Sequence, residues 1–193
     1  ALVVVETDGG RIRTRETESG SGTHHPAWKE SKTALFMRMA SETHEEDPAP
    51  EPPESLQNRG YVSQLVQQMA DAASAETVEQ TSTTVKYESP KRLMRTCLAS
   101  IDDSNTFGKL MAVEAHRKGF FQADRKAFVA DGMKCNWTIW KNHFQWQGFI
   151  PIVDFIHVLS YLYKAAIAIG EDEDFGWGLY ADWMRACWQG RVI

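Results

Sequence analysis

Two apolar, strand-like runs in the chain end on the same dipeptide. VVVETDGG at 3 to 10 and AFVADGMK at 127 to 134 each lead into Asp-Gly. If the two strands are neighbours in one sheet, Asp8 and Asp131 project at the same edge. Two ionised carboxylates held close repel each other, and a divalent cation between them is the usual remedy. Oxygen donors favour Mg²⁺ or Mn²⁺ over zinc. A pair of such ions activates a water or hydroxyl and stabilises the leaving oxygen of a phosphodiester. Each aspartate also has a purely structural reading. Asp-Gly is the commonest hairpin-turn chemistry, which suits Asp8-Gly9-Gly10. Asp131 can equally cap the helix expected a few residues later.

A third run, FIPIVD, ends in Asp154, and His157 follows three residues on. At a strand-to-helix junction this pair reads as an N-cap and a hydrogen-bonded histidine in the first turn. The functional alternative makes them groups that support the metal ligands or touch a DNA backbone. His24 and His25 lie in a Gly- and Ser-containing loop, where exposed histidines are usually inert. No Ser/His/Asp or Cys/His arrangement can be assembled, and neither GxxxxGK[ST] nor GxGxxG is present. Cys97, Cys135 and Cys187 are odd in number, far apart and in stretches read as apolar and helical. That spacing supports neither a disulfide framework nor a zinc site, and it fits a reducing, cytoplasmic compartment.

The elements that must carry these residues follow from hydrophobic pattern. Residues 1 to 15 read as a hairpin, LVVVE and RIRTR turning at Asp-Gly-Gly, with KTALFMRMAS as a third strand. Residues 42 to 55 form a Pro- and Glu-rich linker without regular structure. A helix is expected over 56 to 75 and a weak strand over 76 to 90, while 93 to 101 fits helix and strand equally badly. From Thr106 the helical spacing is clear, and Gly119 stops it. KAFVADG then reads as a strand, CNWTIWKNHF as a helix, FIPIVD as a buried strand and FIHVLSYLYKAAIAI as a helix apolar almost all round. The stripe of Trp177, Tyr180, Met184, Cys187 and Trp188 on a last helix reads as core. Antiparallel strands followed by βαβ crossovers make a mixed α/β sheet with helices on its faces.

Composition bounds the rest. The chain has 193 residues, 42% hydrophobic and 24% charged, enough for a substantial core without staples. Its longest apolar stretch, 151 to 169, contains Asp154, His157 and Lys164, which argues for a buried helix rather than a membrane span. The net charge of -5 speaks against a nucleic-acid surface, yet six of the acids lie within residues 42 to 54, so the remainder is close to neutral. Basic residues gather at Arg11, Arg13 and Arg15, at Lys91, Arg92 and Arg95, and at Arg117, Lys118, Arg125 and Lys126. These are solvated faces or phosphate contacts.

An ordered series carries a family resemblance: DGGRIRTRE, HHPAWKESK, ASETHEEDPAPEPP, VEAHRKGFF, AFVADGMKCNWTIWKNHF, PIVDFIHVLSYLYKAA and MRACWQGRV. Over nearly its whole length the chain resembles the catalytic region of bacterial insertion-sequence transposases of the ISKra type. These are relatives of the Mutator-like group, with an RNase H-like fold and an Asp-Asp-Glu site. The resemblance implies an RNase H-like catalytic core over 1 to 169 and the beginning of an all-helical insertion at 170 to 193. It implies Asp8 and Asp131 as catalytic carboxylates and metal ligands, and two Mg²⁺ or Mn²⁺ ions in the complete site. Asp154 and His157 match a recurrent Asp-Phe-x-His segment. The implied partners are DNA, as transposon ends and target, and a second copy in a homodimer. The third carboxylate, a Glu, is expected after the insertion. Glu171 and Glu173 precede the aromatic helix and do not match it, so the sequence reads as a fragment whose site is incomplete. Two other readings stand beside this one. One is an inactive remnant that keeps only DNA or protein binding. The other is a haloacid dehalogenase-like phosphohydrolase, whose nucleophilic aspartate position is taken here by Glu6, with a longer arm than in-line attack needs.

Overall fold

The structure, a computed structural model, describes residues 1–15, 26–70 and 91–191. By internal contacts the chain divides into two compact units, Ala1–Ser41 with Pro90–Asp154, and Glu42–Ser89 with Phe155–Ile193. The first unit is α/β. Its five strands are β1 (Leu2–Arg15), β2 (Pro26–Met39), β3 (Arg92–Ser100), β4 (Arg125–Ala130) and β5 (Ile150–Val153), in the order β3-β2-β1-β4-β5. β1, β2 and β3 pair antiparallel, whereas β4 and β5 run parallel to β1. This is the mixed sheet expected of antiparallel strands followed by crossovers.

The opening hairpin is a correction. Asp8-Gly9-Gly10 does not turn: β1 runs straight through it, with Asp8 opposite Thr33, Gly9 opposite Lys32 and Gly10 opposite Ser31. A type I′ turn needs positive φ at its central residues, and neither Gly9 nor Gly10 has it. A fourteen-residue partner strand outweighs the local turn signal. LVVVE and RIRTR are therefore one strand, KTALFMRM of the expected third strand is the second half of β2, and the ambiguous 93 to 101 segment is strand up to Ser100, within β3. Cys97 accordingly sits on a strand and is exposed, not in a helix.

Alternation decides the faces. Val3, Val5, Ala34, Phe36, Phe128 and Ala130 point to one side of the sheet and are buried against Phe107, Met111 and Ala115 of α2 (Ser104–Arg117). Asp103 caps that helix, its carboxylate accepting the N–H groups of Asn105 and Thr106. Gly119 follows the helix with φ +69°, as a left-handed stop requires. α3 (Lys134–Ile139) runs on into a π-helical turn at Trp140–Phe144 and a 3₁₀ turn at Gln145–Gln147, delivering Ile139, Phe144 and Phe149 to the same core. β5 departs from expectation. It is an edge strand, and all four of its residues are exposed, because an apolar run buries only as many faces as its neighbours cover.

The second unit is helical. A 3₁₀ turn (Glu54–Gln57) leads into α1 (Arg59–Ala70), and α4 (Phe155–Ile169) and α5 (Glu173–Trp188) complete it. Leu56, Val62, Val66, Leu159, Ala166, Tyr180 and Met184 form its core. The aromatic stripe is core as expected, with Tyr180 and Met184 fully buried. α4 is less buried than its composition suggests, since Tyr161 and Ile169 are exposed. The acidic Pro-rich segment holds no helix or strand before Glu54, yet it is tied to α5. Trp188 donates to the Ala49 carbonyl at 2.8 Å, and Tyr180 Oη donates to that of Leu56 at 3.2 Å. Burial, with Tyr163 nearby, holds the Tyr180 phenol well above its ordinary value. Arg59 bridges Glu173 and Asp174 in the first turn of α5. The expected strand at 76 to 90 and the end of the helix expected to 75 lie outside the described residues. No helix among those described is long and apolar enough to cross a membrane.

Two outcomes test the packing of the first unit. A Cβ on Gly108 would lie 2.9 Å from His143 Cδ2 and 3.2 Å from Ile139 Cγ1. Gly108→Ala is expected to destabilise the protein by about 1–3 kcal/mol in urea unfolding. Burial, and then Lys109, lowers the His143 pKa from its ordinary value near 6.5. The folded state therefore prefers the neutral ring, and its contribution is complete above pH 6.5 and lost as pH falls through the lower folded value. His143→Gln should flatten the fall in stability on acidification below pH 6.5.

Candidate metal centre

β1 and β4 pair in parallel from Leu2 opposite Arg125 to Thr7 opposite Ala130, and β4 and β5 pair up to Ala130 opposite Val153. Thr7, Ala130 and Val153 thus form one row across three neighbouring strands. The next residue of each chain segment is an aspartate: Asp8, Asp131 and Asp154. The Asp154 N–H donates to the Ala130 carbonyl at 2.8 Å, extending the ladder one step past β5. By alternation Asp8 lies on the sheet face opposite the α2-packed core, the face also taken by Val4 and Glu6. Asp131 continues the matching face of β4, after Ala127 and Val129.

Carboxylate oxygens of Asp8 and Asp131 lie within 4.8 Å of each other. Asp8 is exposed and Asp131 partly buried. Each is oriented by N–H donors on one oxygen. Asp8 Oδ1 accepts the Gly9 N–H at 2.7 Å. Asp131 Oδ1 accepts the Met133 N–H at 3.0 Å and the Asn136 side-chain amide at 2.8 Å. Asp131 is not the N-cap of α3; Met133 occupies that position, without a side-chain cap bond. Asp131 instead stands two residues ahead, closing an Asx-type turn that aims its carboxylate back toward β1.

Two carboxylates at this separation have the donor chemistry of a hard divalent cation. Both offer oxygen only, and the N–H donors set their orientation before any ion arrives. Asp154 joins β5 to α4, and His157 lies in the first turn of α4, within the second unit. His24 and His25 lie outside the described residues. Cys97, Cys135 and Cys187 are free. Glu173 is engaged with Arg59.

Sequence reasoning missed Asn136. It is 7% exposed and spends its amide on Asp131. Its signal was present: a polar residue on an otherwise aromatic and apolar helix face, five positions after the aspartate, where one helical turn folds back on the strand end. No family model matches the chain, and comparisons with curated proteins and with solved structures likewise return no match.

Hydrogen bonds to charged groups contribute about 1.5–3 kcal/mol. Asn136→Ala is therefore expected to lower unfolding free energy by about that amount in urea titration. A loss below about 0.5 kcal/mol would mean that the amide does not hold Asp131.

Proposed function

We propose that this chain is the catalytic part of a DNA transposase with an RNase H-like sheet, a polynucleotidyl transferase that cuts strands at transposon ends and joins them to target DNA. The observation that carries the reading is the parallel register of β1 and β4, which sets Asp8 beside Asp131 with their oxygens within 4.8 Å. The resemblance implies catalytic carboxylates at these two positions, and the order of antiparallel and parallel strands supports the fold it implies.

Asp8 and Asp131 would hold Mg²⁺ or Mn²⁺. Bound there, a pair of ions supplies an activated water or 3′-hydroxyl and charge neutralisation at the phosphate under attack. The chain's own contribution is preorganisation. Gly9, Met133 and Asn136 orient the two carboxylates through N–H donors, so little reorganisation is needed when charge arrives. The β1–β4 ladder resists the repulsion that would otherwise part them. Asp154, next in the same row, stands where a further carboxylate or a support for the others is available.

Mn²⁺ titration of the chain followed by electron paramagnetic resonance should show binding that Asp8→Ala and Asp131→Ala each weaken at least tenfold. With the full reading frame and its terminal repeats as substrate, Mg²⁺-dependent cleavage should be abolished by either substitution. Undiminished cleavage in either variant would refute the assignment. DNA binding without any cleavage would favour a remnant that keeps contacts alone.

A further inference from the structure

β4 stops pairing with β1 at Thr7, and β3 stops pairing with β2 at Lys32. Beyond those points β1 and β2 continue together to Arg15 opposite Pro26. Residues 10–15 and 26–31 are therefore a two-stranded ribbon reaching past the sheet. A ribbon with one partner strand and no core beneath it is marginally stable in water. Its side chains are also unlike those of a ribbon built only for solubility. Trp28 is 61% exposed and stands directly opposite Arg13, while Arg11 stands opposite Glu30. Directly opposed residues share a face, so Arg11, Arg13, Trp28 and Glu30 lie together. Glu30 is drawn to Lys32 at 3.0 Å, which offsets the acid on that face. What remains is an exposed indole directly across from the exposed Arg13 and diagonal to the exposed Arg11.

That combination matches one kind of ligand. An indole face stacks on a nucleobase, and arginines beside it take the flanking phosphates. Stacking of this kind requires a base that is not enclosed in a duplex. We propose that the ribbon is a clamp for an unpaired DNA strand, with Trp28 stacking on a base and Arg11 and Arg13 holding the neighbouring phosphates. The ribbon continues the strand that carries Asp8, and by alternation Arg11, Arg13 and Trp28 lie on the face of Val3, Val5 and Thr7, opposite that of Asp8. The choice of DNA rests on the transposase reading; the single-stranded character rests on Trp28.

The experiment is fluorescence anisotropy of the full chain in EDTA. The probes are a labelled single-stranded DNA of mixed sequence, the duplex made from it, and RNA of the same sequence. Single-stranded DNA is expected to bind tightest. Trp28→Ala should weaken it about five- to hundredfold at an unchanged salt slope, and Trp28→Phe should retain most of the affinity. Arg11→Ala with Arg13→Ala should reduce the slope of log K against log salt by about 1.4. Binding within twofold of wild type for Trp28→Ala, equal or tighter binding of the duplex, or preference for RNA would overturn the proposal. Because EDTA removes divalent ions, Trp28-dependent binding together with absent cleavage would count against the transposase reading and leave the clamp standing. Cleavage with binding indifferent to Trp28 would do the reverse.

Discussion

Parallel pairing of β1 with β4 sets two aspartates side by side against their mutual repulsion. Like charges at a few ångströms separate unless the backbone prevents it, and here six consecutive residue pairs do so. The ladder in turn depends on what lies beneath it. Val3, Val5, Phe128 and Ala130 alternate inward onto α2, and their burial fixes the register. A slip of one residue would move every apolar side chain to the wrong face and part the aspartates at the same time. Core packing and site geometry are therefore one constraint in this unit.

The ends of the strands translate that constraint into chemistry. Asp131 follows directly on a buried strand, and the chain must turn there to enter α3. The turn is closed by the aspartate's own oxygen, on Met133 and Asn136, so the residue that makes the connection is also the one whose carboxylate is aimed. On β1 the corresponding point is not a turn at all. Gly9 and Gly10 carry the strand onward in extended conformation, and Asp8 stands at the boundary between a sheet covered by α2 and an exposed ribbon.

The second unit shows the same economy with a different surface. Six acids in a Pro-rich segment would repel one another if left in isolation, but residues of α5 take hold of the segment. Arg185 lies 3.7 Å from Glu51, and Trp188 donates to the Ala49 backbone carbonyl; Tyr180 holds that of Leu56 in the 3₁₀ turn that follows. A segment without helix or strand thereby acquires fixed backbone partners.

Much was legible in the residues themselves. A short apolar run marked β4, the 3.6-residue spacing marked α2 and α5, and the repeated Asp-Gly marked both members of the carboxylate pair. Local patterns succeed where one side chain after another meets the same environment. They failed where a distant partner decided the outcome. Asp-Gly-Gly is a turn in isolation, and only fourteen residues of β2 make it a strand. The run at 92 to 100 has no decisive period, and an open edge of β2 made it β3. FIPIVD is apolar enough for burial, yet only Phe149 enters the core, and the place of Ile150–Val153 at the sheet edge leaves those four exposed. That two aspartates follow apolar runs is written in the residues. That those runs are parallel neighbours in matching register comes from the folded chain, because strand pairing is set by contacts between residues over a hundred positions apart, which no local pattern encodes.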